Sequence, residues 1–248
     1  MKEPYYKGYI ASYEQYLASS PYVREVMARL LPHFADARSM LDIGAGTGAL
    51  CLSLPDHIAI TAVESSLGMC EVIAKRAKEK GKSIRIIEDA WETAEVGGAY
   101  DIVLCANAVY RMEPLKDSLA KMVRAAKGAL LIVMNGRTSV GIYGKMRKAL
   151  KDNGVPCPNA LKVYRLHDVE SALDSLGIPY AKELACWQDV RRFSARDEAM
   201  DYLLNRYEVA EAYRKQAEDV LMPYVTETEG GVSVADDTEM AFLTITRK

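Results

Sequence analysis

The stretch Ser39-Met40-Leu41-Asp42-Ile43-Gly44-Ala45-Gly46-Thr47-Gly48-Ala49-Leu50 constrains this chain more than any other. An apolar run ends in an acid, glycines follow at every second position, and a run that can be helical comes next. The order reads as strand, tight turn, helix. Glycine permits positive φ, and its missing Cβ lets a ligand approach the backbone. Such a turn delivers a helix N-terminus to the edge of a parallel sheet. Asp42 disfavours a pyrophosphate lying directly there, because like charges repel; a cationic group such as an amine suits it better.

Strand and helix patterns alternate along the rest of the chain. Tyr5 to Leu31 reads as two helices. Tyr6, Tyr9, Tyr13, Tyr16 and Leu17 share one face of the first. Ser20-Pro21 starts the second, with Val23, Val26, Met27, Leu30 and Leu31 as its stripe. The pair either covers a sheet edge or forms a lid whose tyrosines line a substrate pocket. Ile58 to Val63 is a second strand ending at Glu64, and Ser65-Ser66 caps a helix through Lys80 that Gly81 closes. Ile84 to Ile87 is a third strand, followed by Glu88-Asp89-Ala90-Trp91. Tyr100 to Cys105 is a fourth, Glu113-Pro114 starts a helix through Ala126, and Gly128 to Met134 is a fifth, apolar enough to be central and parallel. A basic helical segment over Gly141–Asp152, a helix from His167 to Leu176 and a strand over Tyr180–Phe193 follow. A helical insertion over about Ala195–Met222 precedes a last strand, Met240–Thr246. Acids therefore stand at the carboxyl ends of strands one, two and three, the edge where a doubly wound sheet takes its ligand. Glu64 lies roughly 20 residues beyond Asp42, as a ribose-binding acid does: two hydroxyls can donate to one carboxylate.

At Asp42, Gly44, Gly46 and Gly48 the chain resembles the first motif of the class I S-adenosylmethionine (SAM) dependent methyltransferases. The motifs that follow in order extend the resemblance over about Arg38 to Met134. It implies an α/β fold: a doubly wound, mostly parallel, seven-stranded sheet with an antiparallel last strand between strands five and six. It implies one domain over 1–248, with an N-terminal helical cap (1–34), a core (38–193), the insertion (194–222) and the last strand (239–247). SAM would be the methyl donor and S-adenosylhomocysteine (SAH) the product. The implied cofactor site begins in the glycine loop with Asp42, Gly44, Ala45, Gly46 and Gly48, and continues through Glu64, Ser65 and Met69. Asp89 would hold the adenine amino group beside Ala90, with Trp91 or Met69 against the ring, and Asn107 completes the set. The segment after strand four faces the transferred methyl in this family, so Asn107, Tyr110 and Arg111 are the catalytic candidates. Arg111, Arg137 and Tyr143 are candidates to hold a carboxylate or phosphate on the acceptor. Gly44, Gly46 and Ala49 also satisfy the dinucleotide pattern. A nicotinamide-dependent oxidoreductase and a non-catalytic SAM-binding protein are therefore the alternatives.

Composition narrows the partners. Net charge is -2, which offers no basic face for a nucleic-acid backbone, so a small-molecule acceptor is expected and nucleic acid is not. The 5 cysteines are scattered without metal spacing, which fits reduced thiols, a cytoplasmic setting and no metal. No leader or membrane-spanning run is evident, and the insertion leaves a homodimer open. His33, His57 and His167 sit in no recognisable catalytic motif. In-line methyl displacement needs a base only when the nucleophile keeps its proton, so their absence from a motif is compatible with methyl transfer.

Overall fold

The computed structural model describes residues 4–136, 141–158 and 163–247, with the side chains of Ile10 and of Tyr13 onward. Two helices, α1 (Pro4–Ser19) and α2 (Tyr22–Leu30), precede β1 (Ser39–Ile43). Then come β2 (Ala59–Glu64), α3 (Leu67–Glu79), β3 (Ile84–Glu88), β4 (Tyr100–Ala106), α4 (Leu115–Ala125) and β5 (Ala126–Asn135). The later elements are α5 (Ile142–Asp152), α6 (Leu166–Ser175), β6 (Ala181–Phe193), α7 (Arg196–Arg206), α8 (Arg214–Leu221), β7 (Thr226–Thr228) and β8 (Gly231–Thr246). The sheet order is β3-β2-β1-β4-β5-β8-β6, with β7 paired to β8. Strands β1 to β5 pair in parallel, and β8 runs antiparallel to β5 with Leu131 opposite Thr244. The last strand thus lies between β5 and β6, as the family resemblance implies.

The chain divides into two compact units. The first comprises Met1–Gly136, Val163–Ala185 and Met240–Lys248. Its central strands are near-continuous apolar runs because both sheet faces are covered: Met40, Leu41 and Ile43 of β1 and Leu130 to Met134 of β5 are all buried. The second comprises Arg137–Lys162 and Cys186–Glu239, more chain than the 194–222 insertion alone. There α5 packs on α8, and Met146, Leu150, Leu203, Tyr207 and Leu221 build a separate core.

Three expectations are corrected. No α-helix follows the glycine loop; only a 3-10 turn, Cys51–Ser53, does. Positive φ at Gly44 (68°), Gly46 (58°) and Gly48 (72°) keeps the chain out of helical geometry up to Ala49. Pro55 then holds Leu54 extended at ψ 160°, so too few residues are left for a helix. The last strand starts at Gly231 rather than Met240, and forms a hairpin with β7, whose residues Thr226-Glu227-Thr228 are polar and exposed throughout. On α2 the buried face is Tyr22, Val26, Met27 and Leu30, while Leu31 is 43% exposed.

One acid pins the amino edge of the sheet. Asp101, at the start of β4, accepts from the backbone N–H groups of Arg38 and Ser39, both at 2.8 Å, and from Ser39 Oγ at 2.9 Å. Lys127 stands 3.0 Å from its other oxygen. Burial works to raise this carboxyl, but the hydrogen bonds from Arg38, Lys127 and Ser39 outweigh it and hold it at about 2.

Candidate active site

The carboxyl edge of the same sheet carries a cleft of about 430 Å³. Its walls come from the glycine loop, the ends of β2, β3 and β4, and the amino-terminal helices. The volume suits a small ligand. Gly44 packs so closely on Ala108 that a Cβ there would lie 2.3 Å from the alanine Cβ. This contact sets the loop against the segment after β4. At Gly46 such a Cβ would be in ordinary van der Waals contact with the Tyr13 ring, 3.8 Å away, so Tyr13 lies over this part of the loop.

Glu64 ends β2 and holds the loop. One of its oxygens accepts from Gly46 N–H and the other from Ser66 N–H, each at 2.9 Å. Each oxygen keeps a lone pair, which suits a pair of ribose hydroxyls. Ser66 caps α3 through Met69 N–H at 3.4 Å, which brings Met69 to the cleft wall. Asp89 ends β3; its Oδ1 accepts from Ala90 N–H at 2.8 Å and Thr93 Oγ1 at 2.7 Å. Trp91 is anchored in the core, its indole N–H donated to Ser118 O at 3.1 Å and its ring under Lys121, yet it also lines the cleft.

Asn107 sits just past β4 with φ 53°, a left-handed backbone uncommon outside glycine. Its Nδ2 donates to Tyr22 Oη at 2.9 Å, and its Oδ1 accepts from Tyr110 Oη at 2.8 Å. Tyr110 Oη in turn accepts from Asn135 N–H at 2.8 Å. Burial pushes the Tyr110 phenol up to about 12 and that of Tyr22 well above its ordinary value. Above the loop, α1 is tied down through Arg76, which pairs with Glu14 and donates to Thr47 Oγ1 at 3.1 Å.

The structure thus brings Gly44, Gly46, Glu64, Ser65, Met69, Asp89, Ala90, Trp91, Asn107 and Arg111 of the expected set to one cleft. Ala45, Gly48 and Tyr110 do not line it; Tyr110 reaches it only through its bond to Asn107. Asp42 is buried, 3% exposed, and off the cleft wall. Burial raises its carboxyl to about 7; the Cys51 thiol's hydrogen bond opposes this, and the Glu64 charge adds to it. Tyr143 lies in the second unit under the Arg206 guanidinium, 4.2 Å from the ring centroid. Arg137 lies outside the described residues. Tyr13 and Tyr16 line the cleft, in keeping with the lid alternative, whereas Tyr22 was hidden in the sequence. Its signal was the four-residue spacing with Val26 and Leu30, which puts a polar-tipped ring on the buried face of α2. Among the described residues no cluster of His, Cys, Asp and Glu could hold a metal ion, and no helix is long and apolar enough to cross a membrane.

These features define a doubly wound α/β protein with a ligand cleft at its carboxyl edge. The glycine loop leads into a three-residue turn, so no helix N-terminus waits there for a dinucleotide pyrophosphate. Residues 40–129 match the family model described as Methyltransferase domain. Ubiquinone biosynthesis O-methyltransferase of Rickettsia canadensis (strain McKiel) is 23% identical over 127 residues, 50% of this chain and 51% of that protein. The chain therefore spans about half the length of that relative. The YcgJ protein of Bacillus subtilis shares the fold with a TM-score of 0.59 at 17% identity, over 88% of this chain and 97% of that one. Magnesium protoporphyrin IX methyltransferase (ChlM) of Synechocystis PCC 6803, solved with bound SAH, does so with 0.53 at 15% identity, over 89% and 80%. Over residues 40–129 the chain is thus similar to the methyltransferase-domain family, and it shares the fold of these solved structures.

Proposed function

We propose that this chain is a SAM-dependent methyltransferase that transfers a methyl group to a small-molecule acceptor by in-line displacement. One observation carries the reading: Glu64 and Asp89, at adjacent strand ends, line one cleft together with the Gly46 backbone. Glu64 takes the two ribose hydroxyls and Asp89 the adenine amino group. Trp91 and Met69 pack the ring, and the Gly44–Gly46 backbone lies along the rest of the donor. When bound, SAM supplies a methyl group already activated on a sulfonium, so the protein's work is alignment and exclusion of water. Asn107 and Arg111 stand on the wall that would face the acceptor. Tyr13, Tyr16 and Tyr22 close that end with aromatic surface. A net charge of -2 favours a small molecule over nucleic acid. The 5 scattered cysteines, without metal spacing, support a cytoplasmic setting.

Calorimetric titration with SAM, SAH and NAD tests the reading. SAM and SAH should bind and NAD should not; the reverse order would sink it. Gly46→Val puts a branched side chain where the ligand must approach and, at φ 58°, also costs stability, so binding is measured on protein shown to be folded, where SAH binding should be abolished. If the variant bound SAH like wild type, the donor would lie elsewhere.

A further inference from the structure

The hydrogen bonds around Asn107 run in one direction, and that direction ends in the cleft. Asn135 N–H can only donate, so Tyr110 Oη accepts from it at 2.8 Å. Tyr110 then spends its single proton on Asn107 Oδ1, at 2.8 Å. That donation sets the amide oxygen of Asn107 toward Tyr110. Asn107 Nδ2 therefore faces Tyr22 and donates to its oxygen at 2.9 Å. A phenol has one proton, and the bond Tyr22 accepts from Asn107 leaves that proton without an acceptor among the described residues. Tyr22 is 5% exposed and lines the cleft. The left-handed backbone of Asn107 is a strained state of the kind that persists where its surroundings impose it.

Donors and acceptors are also sorted along the cleft. Glu64 and Asp89 stand at the ends of β2 and β3, whereas Asn107 stands at the end of β4, on the far side of β1. Every carboxylate on the wall is already engaged: Glu64 by Gly46 and Ser66, Asp89 by Ala90 and Thr93, and Glu92 by Glu113 N–H at 3.1 Å. The titratable groups facing Tyr22 are the phenols of Tyr13, Tyr16 and Tyr110. Arg111, on the same wall, follows β4.

We propose that Tyr22 receives the methyl acceptor by donating its phenolic O–H to an anionic oxygen, so that the substrate is an oxyanion (a phenolate, enolate or carboxylate) methylated without a protein base. The proposal rests on the methyltransferase reading of the cleft. A lone pair on the acceptor oxygen forms the new O–CH3 bond while the S–CH3 bond breaks, its electron pair staying on sulfur. The sulfonium and oxyanion charges cancel, and no proton has to leave. Tyr22 keeps its proton throughout. Tyr110 is a positioning residue: it touches no substrate, but decides which end of the Asn107 amide faces Tyr22.

The test uses the full chain loaded with SAH and titrated with para-nitrophenol, whose ionisation is read from the visible absorbance of the phenolate. Benzylamine serves as a cationic probe of similar size. SAH affinity is measured first by calorimetry; its absence in wild type would sink the methyltransferase reading itself rather than this inference. Wild type should bind the nitrophenolate with its pKa lowered. Tyr22→Phe should bind it about tenfold to a hundredfold more weakly, with SAH affinity unchanged and the probe's pKa returned toward its free value. Tyr110→Phe should show a smaller loss and a partial return of that pKa, which a packing role alone would not produce. If Tyr22→Phe fails to fold, Tyr110→Phe carries the same test. A preference for benzylammonium, no binding of nitrophenolate, or equal affinity and probe pKa in wild type and variant overturns the proposal.

Discussion

The two edges of one sheet carry acids in opposite states. At the amino edge Asp101 accepts three hydrogen bonds and meets Lys127, and its carboxyl is held at about 2. At the carboxyl edge Asp42 is buried with the Cys51 thiol as its side-chain partner, and its carboxyl is raised to about 7. Glu64 and Asp89, beside it, are bonded but keep lone pairs toward the cleft. The contrast teaches where the sheet is finished and where it is left open. Fully used acids clamp β1 to β4, while partly used acids make a binding surface.

The largest effect should come from a residue that breaks the comparison, because it lies at the binding edge yet serves the fold. Gly44→Ala meets Ala108 at 2.3 Å and must hold φ 68°. Positive φ costs about 1–2 kcal/mol and overpacking about 1–3 kcal/mol, so thermal or denaturant unfolding should show a loss of about 2–5 kcal/mol. A loss below about 1 kcal/mol would mean that the loop is not held against the segment after β4.

Next in size is the pH dependence, which should have opposite signs at the two edges. The folded pKa of Asp42 is raised, so the folded state binds its proton more tightly than the unfolded one. Stability from this group is present at low pH and declines as pH rises from the ordinary 3.8 to about 7, by a few kcal/mol. The folded pKa of Asp101 is depressed, so its contribution is present above the ordinary 3.8 and is lost as pH falls toward about 2. Denaturant unfolding of Asp42→Asn at a series of pH values should lack the decline toward neutral pH. A decline as steep as in wild type would assign it to other groups.

A smaller loss is expected from Asp101→Ala, which leaves the Arg38 and Ser39 N–H groups without their acceptor. Hydrogen bonds to a charged group are worth about 1.5–3 kcal/mol, and partial exposure at this edge favours the lower end. SAH affinity should not change. A variant that lost SAH binding but kept its stability would reverse the roles of the two edges.

The smallest effect on folding should come from Asp89→Ala, within about 0.5 kcal/mol of wild type. Its SAH affinity should nonetheless fall roughly tenfold to a hundredfold, the loss of one charged acceptor. Equal SAH affinity in variant and wild type would remove Asp89 from the adenine site.

Periodicity and glycine spacing by themselves determined the succession of strands β1 to β5, and with it the edge at which Glu64 and Asp89 meet. Those are local signals: a strand's alternation, a cap such as Ser66 and a closing glycine such as Gly81 act within a few residues of themselves. Only the tertiary structure decided the rest. The run after Gly48 can be helical by its letters, but three positive-φ glycines and Pro55 leave it one short turn. Asp42 looks like a ligand-facing acid in the motif, yet the pleat turns it into the core beside Cys51. Tyr22 joins the site through Asn107, 85 residues away in sequence, and Tyr110 through Asn135, 25 residues away. No local pattern encodes such a bond, because burial and hydrogen-bond partners are properties of the packed chain rather than of any one segment.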